Sequence, residues 1–223
     1  MKINPAHTPI FRGINEKNIN SMLTFLHSRE KFYKKGETIL SEGDTTSEIG
    51  IVLCGTAIIE YSDIWGNNSV LGSAAAGSVF AESYACSPDE ALMIHVTAAE
   101  DTSVLFINIS NIFSADVRFD KTYLQLIQNL LSVCASRSLK LSKRIIHTTP
   151  KSIRGRLMSC FSELAKTANS FSFELPYNRR RLADYLSVDR SAMCNEMSKM
   201  QKDGLIRYNK NHVTVSADAD LYD

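Results

Sequence analysis

The 223-residue sequence has few cysteines and no long apolar run. Its five cysteines are Cys54, Cys86, Cys134, Cys160 and Cys194, and no two of them form a CxxC pair. This scatter argues against a zinc or iron–sulfur site and favours reduced structural thiols. No stretch of about 18 apolar residues occurs, and the start, MKINPAHTPIF, lacks the apolar core of a secretion signal. We therefore expect a cytoplasmic protein with no membrane-spanning segment.

Common catalytic motifs are also missing. The patterns G-x-S-x-G, H-E-x-x-H and G-x-x-x-x-G-K-[ST] do not occur. A metal-dependent oxygenase or isomerase built on a small β-barrel would need two or more histidines with a carboxylate at strand spacing. Residues 30–110 contain only His95. We therefore expect no catalytic residue, metal or cofactor, and a β-roll metal-dependent enzyme is kept as an alternative from another class.

Charge is distributed unevenly along the chain, although the formal net charge is only +1. Residues 1–135 contain 9 Lys and Arg against 15 Asp and Glu, whereas residues 136–223 contain 16 against 9. The second part is therefore basic and suited to phosphate contacts, and the first part is acidic and is not. With 44% hydrophobic residues, the chain can bury two modest cores. Two domains are expected.

Residues 30–110 have the pattern of an all-β domain. Short runs rich in β-branched and aromatic residues alternate with glycine-containing turns. Strands at this spacing predict a small barrel or jelly roll. A short helical cover is predicted before it, over Ile10–Leu26. The predicted strands are Glu30–Tyr33, Thr38–Leu40, Gly50–Cys54, Thr56–Ser62, Ser69–Ala75, Met93–Ala98 and Ser103–Asn108.

A long helix without Gly or Pro is predicted from Val117 to Thr148. Its apolar positions alternate in steps of three and four, interrupted only by Ser138, which is typical of a parallel coiled coil. A homodimer is therefore expected, and a helix that only covers its own barrel is the alternative. Thr149 as N-cap and Pro150 at the first helical position then start another helix, so we place a hinge there. The expected dimer residues are Leu124, Ile127, Leu131, Cys134, Leu141 and Ile145.

Two short helices joined by a tight turn are predicted between Asn178 and Arg207. Asn178 is a typical N-cap, and Leu182, Tyr185 and Leu186 share one face of the first helix. Asp189 caps the second helix, whose inward residues are Met193, Met197 and Met200, and Gly204 ends it.

The outward residues of the second helix are Arg190, Ser191 and Asn195. Such residues in the first turns of a second helix match a recognition helix that meets base edges in the major groove. A helical hairpin with solvated charges is the alternative. Against it, residues 205–208 and 212–215 predict two strands around a polar turn, which is a wing. The pattern indicates a winged helix-turn-helix.

The order of these parts resembles the Crp/Fnr family of bacterial transcription regulators. The resemblance covers nearly the whole chain and is carried by KKGETILSEGDTTSEIGIVLCGTAIIE, GSVFAES, IRGRLMSCFSELA and NRRRLADYLSVDRSAMCNEMSKMQKDGLI. It implies an α+β protein with an N-terminal β-roll, a cyclic-nucleotide-binding-like jelly roll, over residues 1–116. A dimerisation helix (117–148) and a C-terminal winged helix-turn-helix (149–223) complete the expected domains.

This resemblance also implies partners and residue roles. We expect a homodimer on two half-sites of double-stranded DNA, with RNA polymerase as a further partner and DNA affinity controlled by a small-molecule effector. Arg190, Ser191 and Asn195 match the family positions that read bases. Arg179, at the start of the first helix, is assigned to a phosphate.

Cyclic AMP is not the expected effector. In the cyclic-AMP-binding members, a Gly-Glu pair and, about ten residues on, an Arg-Ser pair clamp the cyclic phosphate. Here these pairs align with Ala81-Glu82 and Leu92-Met93, so the cation that a buried phosphate requires is missing. The implied pocket is mainly apolar and suits a small organic molecule, and a ligand-free roll is the alternative. Its expected residues are Phe80, Glu82, Ser83, Tyr84, Leu92, Met93 and Leu141.

Other signals known in the family are less compatible with this sequence. The oxygen-sensing members hold an iron–sulfur cluster with an N-terminal cysteine group, and here no cysteine precedes Cys54. His95, between Ile94 and Val96, suits a strand residue better than a haem ligand. Cys86 follows Tyr84-Ala85 in a loop without a nearby cation, which favours an inert thiol. A redox-sensing regulator acting through Cys86 is kept as an alternative.

Overall fold

The computed structural model describes residues 2–66, 68–113 and 121–216. They form two compact units, Met1–Ser136 and Arg137–Asp223. The first consists mainly of strands and the second mainly of helices, which confirms the α+β class.

The strands of the first unit form two antiparallel sheets. They are β1 (Arg29–Tyr33), β2 (Thr38–Leu40), β3 (Glu48–Cys54), β4 (Thr56–Ser62), β5 (Asn68–Ala75), β6 (Val79–Phe80), β7 (His95–Ala98) and β8 (Thr102–Asn108). One sheet has the strand order β1-β8-β3-β6 and the other β2-β7-β4-β5. All seven predicted strands are present, with ends shifted by at most two residues. Strand β6 was not predicted because two residues are too few to show an alternation.

The central strands β3 and β8 are buried along almost their whole length. A strand with one face in water would alternate apolar and polar residues, whereas continuous burial requires cover on both faces. Val52 and Phe106 belong to a core shared with the second sheet, and Ile51 and Leu105 belong to a core shared with the helices. The first sheet is therefore the middle layer of this unit.

Helices cover the outer face of the first sheet. They are α1 (Glu16–Phe25), the single turn α2 (Glu82–Ala85) and the first part of α3 (Lys121–Thr148). The predicted cover over Ile10–Leu26 is interrupted, because Gly13 adopts a left-handed backbone with φ of 79°. Helix α1 begins after Asn15, whose side chain accepts a hydrogen bond from the backbone N–H of Asn18 at 2.8 Å.

Helix α3 packs on the first unit through Leu126 and Leu130, which are buried in its core. Asn129 fixes the helix further, since its Nδ2 donates to the carbonyls of Ile10 at 2.9 Å and Arg12 at 2.8 Å. The first predicted residues of this helix, 117–120, lie outside the described part of the chain.

The second unit contains the end of α3 and a compact helical domain with one small sheet. Its other elements are α4 (Ile153–Ala168), β9 (Ser172–Glu174), α5 (Arg179–Leu186), α6 (Arg190–Lys202), β10 (Ile206–Asn209) and β11 (His212–Val215). The sheet has the order β10-β11-β9. The wing is therefore three-stranded, with β9 added to the two predicted strands. No helix in the described residues combines the length and the apolar character that a membrane span requires.

The predicted start of α4 at Thr149-Pro150 is wrong. The backbone N–H of Thr149 donates to the Ile145 carbonyl at 2.8 Å, and its Oγ1 donates to the same carbonyl at 2.7 Å, so Thr149 completes α3. The N-cap of α4 is Ser152, whose side chain accepts from the Gly155 N–H at 3.0 Å. Only residues 149–152 separate the two helices.

Candidate nucleic-acid interface

Helices α5 and α6 have the caps and the buried faces that the sequence predicts. The Asn178 side chain accepts from the Arg181 N–H at 2.9 Å and starts α5. Leu182 and Leu186 are fully buried, and Tyr185 is half-buried. Ser187 then adopts a left-handed backbone with φ of 54°, which reverses the chain sharply before α6.

Helix α6 is anchored at both ends and along its inner face. The Asp189 side chain accepts from the Ala192 N–H at 2.7 Å, and Gly204 beyond the last turn has φ of 78°. Met193, Met197 and Met200 are buried in the core of the unit, as predicted. The rigid inner face fixes which residues of α6 reach solvent.

The outer face of α6 presents Arg190, Ser191 and Asn195, all of which are exposed. Arg190 and Ser191 lie in the first turn, and Asn195 lies one turn later. Arginine can donate two hydrogen bonds to guanine, and asparagine can both donate to and accept from adenine in the major groove. The arrangement has the donors and acceptors that direct base reading requires.

Arg179 is bound to the wing. Its Nη2 donates to the Lys210 carbonyl at 2.8 Å, and its guanidinium lies 5.0 Å from the centroid of the Tyr208 ring. The side chain is half-buried. Its contact with a phosphate stays a prediction. In the structure Arg179 joins the start of α5 to the wing tip, where Lys210 and Asn211 are exposed.

Two arginines that the sequence analysis did not single out bind the C-terminal end of α5. Arg144, on α3, donates from Nε to the Tyr185 carbonyl at 3.1 Å. Arg156, on α4, donates from Nη1 to the carbonyls of Leu186 at 3.1 Å and Ser187 at 3.0 Å. The last carbonyls of a helix lack intrahelical partners and carry negative partial charge, so these guanidinium groups stabilise the helix end.

A third arginine, Arg154, ties α6 to α4. Its Nε contacts the Glu196 carboxylate at 2.7 Å, and its Nη2 contacts the Asp203 carboxylate at 2.7 Å. These hydrogen bonds raise the pKa of Arg154 above its usual value. Because Glu196 lies within α6 and Asp203 caps its C-terminus, one guanidinium holds the second half of the candidate recognition helix.

A buried polar network joins α3, α4 and α5 beside these arginines. His147 is 4% exposed, and its Nδ1 lies 2.8 Å from the Tyr185 hydroxyl while its Nε2 lies 2.9 Å from the Glu163 carboxylate. Burial lowers the pKa of His147, although the Glu163 charge raises it. Burial also raises the pKa of Tyr185 to about 12. An imidazole that carries its proton on Nε2 satisfies both partners, since the Tyr185 hydroxyl can donate to Nδ1 while Nε2–H donates to Glu163.

The residues expected to line an effector pocket differ in exposure. Phe80 belongs to the roll core and makes an edge-to-face contact with Phe106 at 6.4 Å. Leu92 is 2% exposed, and Glu82 is fully buried. Ala81, aligned with the family glycine, has a left-handed backbone with φ of 61°.

The other expected pocket residues lie nearer to solvent. Ser83 and Met93 are exposed, and the half-buried Tyr84 accepts from the Met93 N–H through its hydroxyl at 3.4 Å. Leu141 is exposed and belongs to the second unit. Among the described residues, no group of three or more His, Cys, Asp or Glu could hold a metal ion.

Of the residues expected at a dimer interface, four are exposed to solvent and two pack inside the chain. Leu124 and Leu131 are exposed in the first unit, at 44% and 67%. Leu141 and Ile145 are exposed in the second unit, together with Leu139 and Ile146, which the sequence analysis did not include. By contrast, Ile127 and Cys134 pack against the core of the first unit.

Comparison with known proteins relates the two units to described domain families. A model of the cyclic nucleotide-binding domain matches residues 30–115, and a model of the Crp-like helix-turn-helix domain matches residues 155–221. A search of curated protein sequences finds no match.

Similar solved structures share the same fold at low sequence identity. The Thermus thermophilus catabolite activator protein is 18% identical, with a TM-score of 0.52 over 96% of both chains. CLP, a c-di-GMP responsive global regulator from Xanthomonas campestris, is 16% identical over 91% of this chain and 100% of its own, with a TM-score of 0.56. CprK complexed with OCPA is 14% identical over 90% of this chain and 91% of its own, with a TM-score of 0.60.

The first matched range covers the strands of the roll, the second covers the helix-turn-helix and its wing, and helix α3 lies between them. The chain is therefore a member of the Crp/Fnr family of DNA-binding transcription regulators.

Proposed function

We propose that the protein acts as a homodimer whose two recognition helices bind two half-sites of double-stranded DNA. The observation that carries this proposal is the outer face of α6, where Arg190, Ser191 and Asn195 are exposed on a helix held by caps, by buried methionines and by Arg154. A fixed helix loses little further conformational freedom when it enters a groove, so its donors and acceptors can discriminate bases.

A dimer on α3 is supported by apolar side chains that one protomer leaves in water. Leu124, Leu131 and Ile145 are exposed, and the first two lie seven positions apart. Contiguous exposed apolar surface on a helix is typical of an interaction site, and this spacing keeps residues on one seam. We propose that residues 117–148 form the dimerisation helix between a sensor roll (1–116) and a DNA-binding domain (149–223). RNA polymerase is proposed as a further partner of the DNA-bound dimer.

The roll is proposed to sense a small organic molecule, not cyclic AMP. In the alignment on which this proposal rests, Leu92 takes the place of the phosphate-clamping arginine of the cyclic-AMP-binding members, and Leu92 is buried. Bringing a phosphate next to a buried leucine would remove water from the anion without supplying a cation. A ligand changes the DNA affinity of a protein only if it binds the conformation that binds DNA and the conformation that does not with different affinities. The effector must therefore fit the roll better in one of these two conformations.

Selection from a randomised duplex library should recover an inverted repeat. Because each recognition helix reads one half-site, the half-site centres should lie about one helical turn apart, roughly 10 base pairs, or a multiple of it. Sequencing of the bound fraction measures this. Recovery of a single asymmetric half-site would contradict the dimer, and no enrichment at all would contradict sequence-directed binding.

Cyclic AMP and cyclic GMP should not bind measurably to the roll. Titration calorimetry with millimolar nucleotide should show no saturable heat, because Leu92 offers no charge to the phosphate. A saturable heat with a micromolar Kd would show that Leu92 and Met93 are wrongly aligned with the Arg-Ser pair of the family. The double variant Leu92→Arg with Met93→Ser supplies the missing pair, and creation of nucleotide binding by it would support the alignment. Circular dichroism must accompany it, because Leu92 is buried.

A further inference from the structure

Two cysteines that are 48 positions apart in the sequence, Cys86 and Cys134, meet in the folded first unit. Cys86 directly follows α2 and is exposed, whereas Cys134 lies on α3 and is half-buried. The Cys134 side chain lies close enough to the Cys86 sulfur to lower the pKa of that thiol through a side-chain hydrogen bond. The packing agrees with this contact, because Ala85 is buried in the same core against which Cys134 packs.

We propose that Cys86 and Cys134 form an intramolecular disulfide when the protein meets a low-molecular-weight disulfide such as oxidised glutathione. The pair is a modification site in the first unit, and it does not depend on how the second unit binds DNA. The bond would join α2 of the roll to α3, the helix that continues into the second unit.

The reaction proceeds by two exchange steps. The exposed Cys86 loses its proton to solvent, and its thiolate attacks one sulfur of the oxidant, which forms a mixed disulfide and releases one glutathione thiolate. The Cys134 thiolate then attacks the Cys86 sulfur and releases the second glutathione. Over the two steps, the protein loses two protons and two electrons, and the oxidant gains them and becomes two thiols.

The surroundings of Cys86 set the speed of the first step. Burial of its sulfur raises the pKa of this thiol, the Glu82 carboxylate raises it further, and the hydrogen bond from Cys134 lowers it. The thiolate is therefore scarce at neutral pH, and disulfide formation should accelerate as the pH rises. Cys160 is a poor competitor, because it is buried and burial raises its pKa to about 12.

The test is carried out on the full chain. The reduced protein is incubated with excess oxidised glutathione at mildly alkaline pH, its free thiols are alkylated, and it is digested without reductant for mass spectrometry. We expect a peptide pair that contains Cys86 and Cys134, with a mass lower by two hydrogens. Three alkylated cysteines should remain of the original five.

Single variants distinguish the thiol that attacks glutathione disulfide, Cys86, from the thiol that completes the bond, Cys134. Cys134→Ser should accumulate glutathione on Cys86, because the second step has lost its nucleophile. Cys86→Ser, an exposed and structurally mild change, should leave Cys134 outside any disulfide, so that it is alkylated. Cys194→Ser, in the second unit, should still form the bond. A wild-type protein that keeps glutathione on Cys86 with Cys134 alkylated would overturn the proposal, and so would a bond between two chains on a non-reducing gel.

Discussion

Leu131→Asp is expected to convert the dimer into monomers and to lower the affinity for a two-half-site operator by about 10²- to 10⁴-fold. Leu131 is 67% exposed on α3, so the change does not disturb the core of the protomer. In a coiled-coil seam, however, it would place two unpaired carboxylates against each other in an apolar interface. Once the protomers separate, binding of one half-site no longer raises the effective concentration at the other.

Sedimentation at micromolar concentration and operator titration measure both effects on the same samples. Ser136→Asp, which adds the same charge at an exposed position away from the Leu124–Leu131 side of the helix, should leave the dimer intact. Ile127→Asp is a poor test, because Ile127 packs against its own protomer and the variant would lose stability for a different reason. A wild-type protein that sediments as a monomer would contradict the dimer directly.

Arg190→Ala should weaken binding to the selected operator by about 1–3 kcal/mol, roughly 5- to 150-fold, and should relax preference at one base pair in each half-site. The exposed guanidinium at the start of α6 can donate two hydrogen bonds to one guanine, and alanine donates none. Binding to random DNA should fall much less, because it depends on phosphate contacts.

The matched control is Arg181→Ala, which removes another exposed arginine, from α5. A phosphate contact there would lower affinity for operator and random duplexes to a similar extent. Fluorescence anisotropy with both duplexes at one salt concentration compares the two variants. Equal losses on operator and random DNA for Arg190→Ala would show that Arg190 contacts only phosphate.

Local signals predicted the helix-turn-helix almost to the residue. Asn178 and Asp189 cap their helices through side chains that are short enough to reach a backbone N–H three residues later. Met193, Met197 and Met200 recur at helical spacing because one face of α6 must be buried. Each of these signals acts within one or two turns of chain, where sequence distance and spatial distance agree.

Contacts between distant parts of the chain could not be predicted in this way. The arginines that bind the end of α5 look like DNA-binding residues in a basic segment, and only the fold places Arg144 beside a carbonyl 41 residues away. The proximity of Cys86 and Cys134 has no spacing signature either. The break at Gly13 was missed because apolar periodicity continues through a glycine whose backbone has left the helix.

The arginine contacts within the second unit also determine how its DNA affinity responds to salt. Arg144, Arg154, Arg156 and Arg179 all hydrogen-bond to backbone carbonyls or carboxylates of the protein itself. A cation held in this way displaces few counterions from a duplex, whereas each neutralised phosphate contributes about −0.9 to the slope of log affinity against log salt. The exposed lysines and arginines of this unit, among them Arg180, Arg181, Arg190 and Lys210, are therefore expected to set the steepness of that dependence. Residues 136–223 contain 16 lysines and arginines, and a protein that used all of them as phosphate contacts would dissociate from DNA at a lower ionic strength. This regulator should still be bound to its operator at that ionic strength.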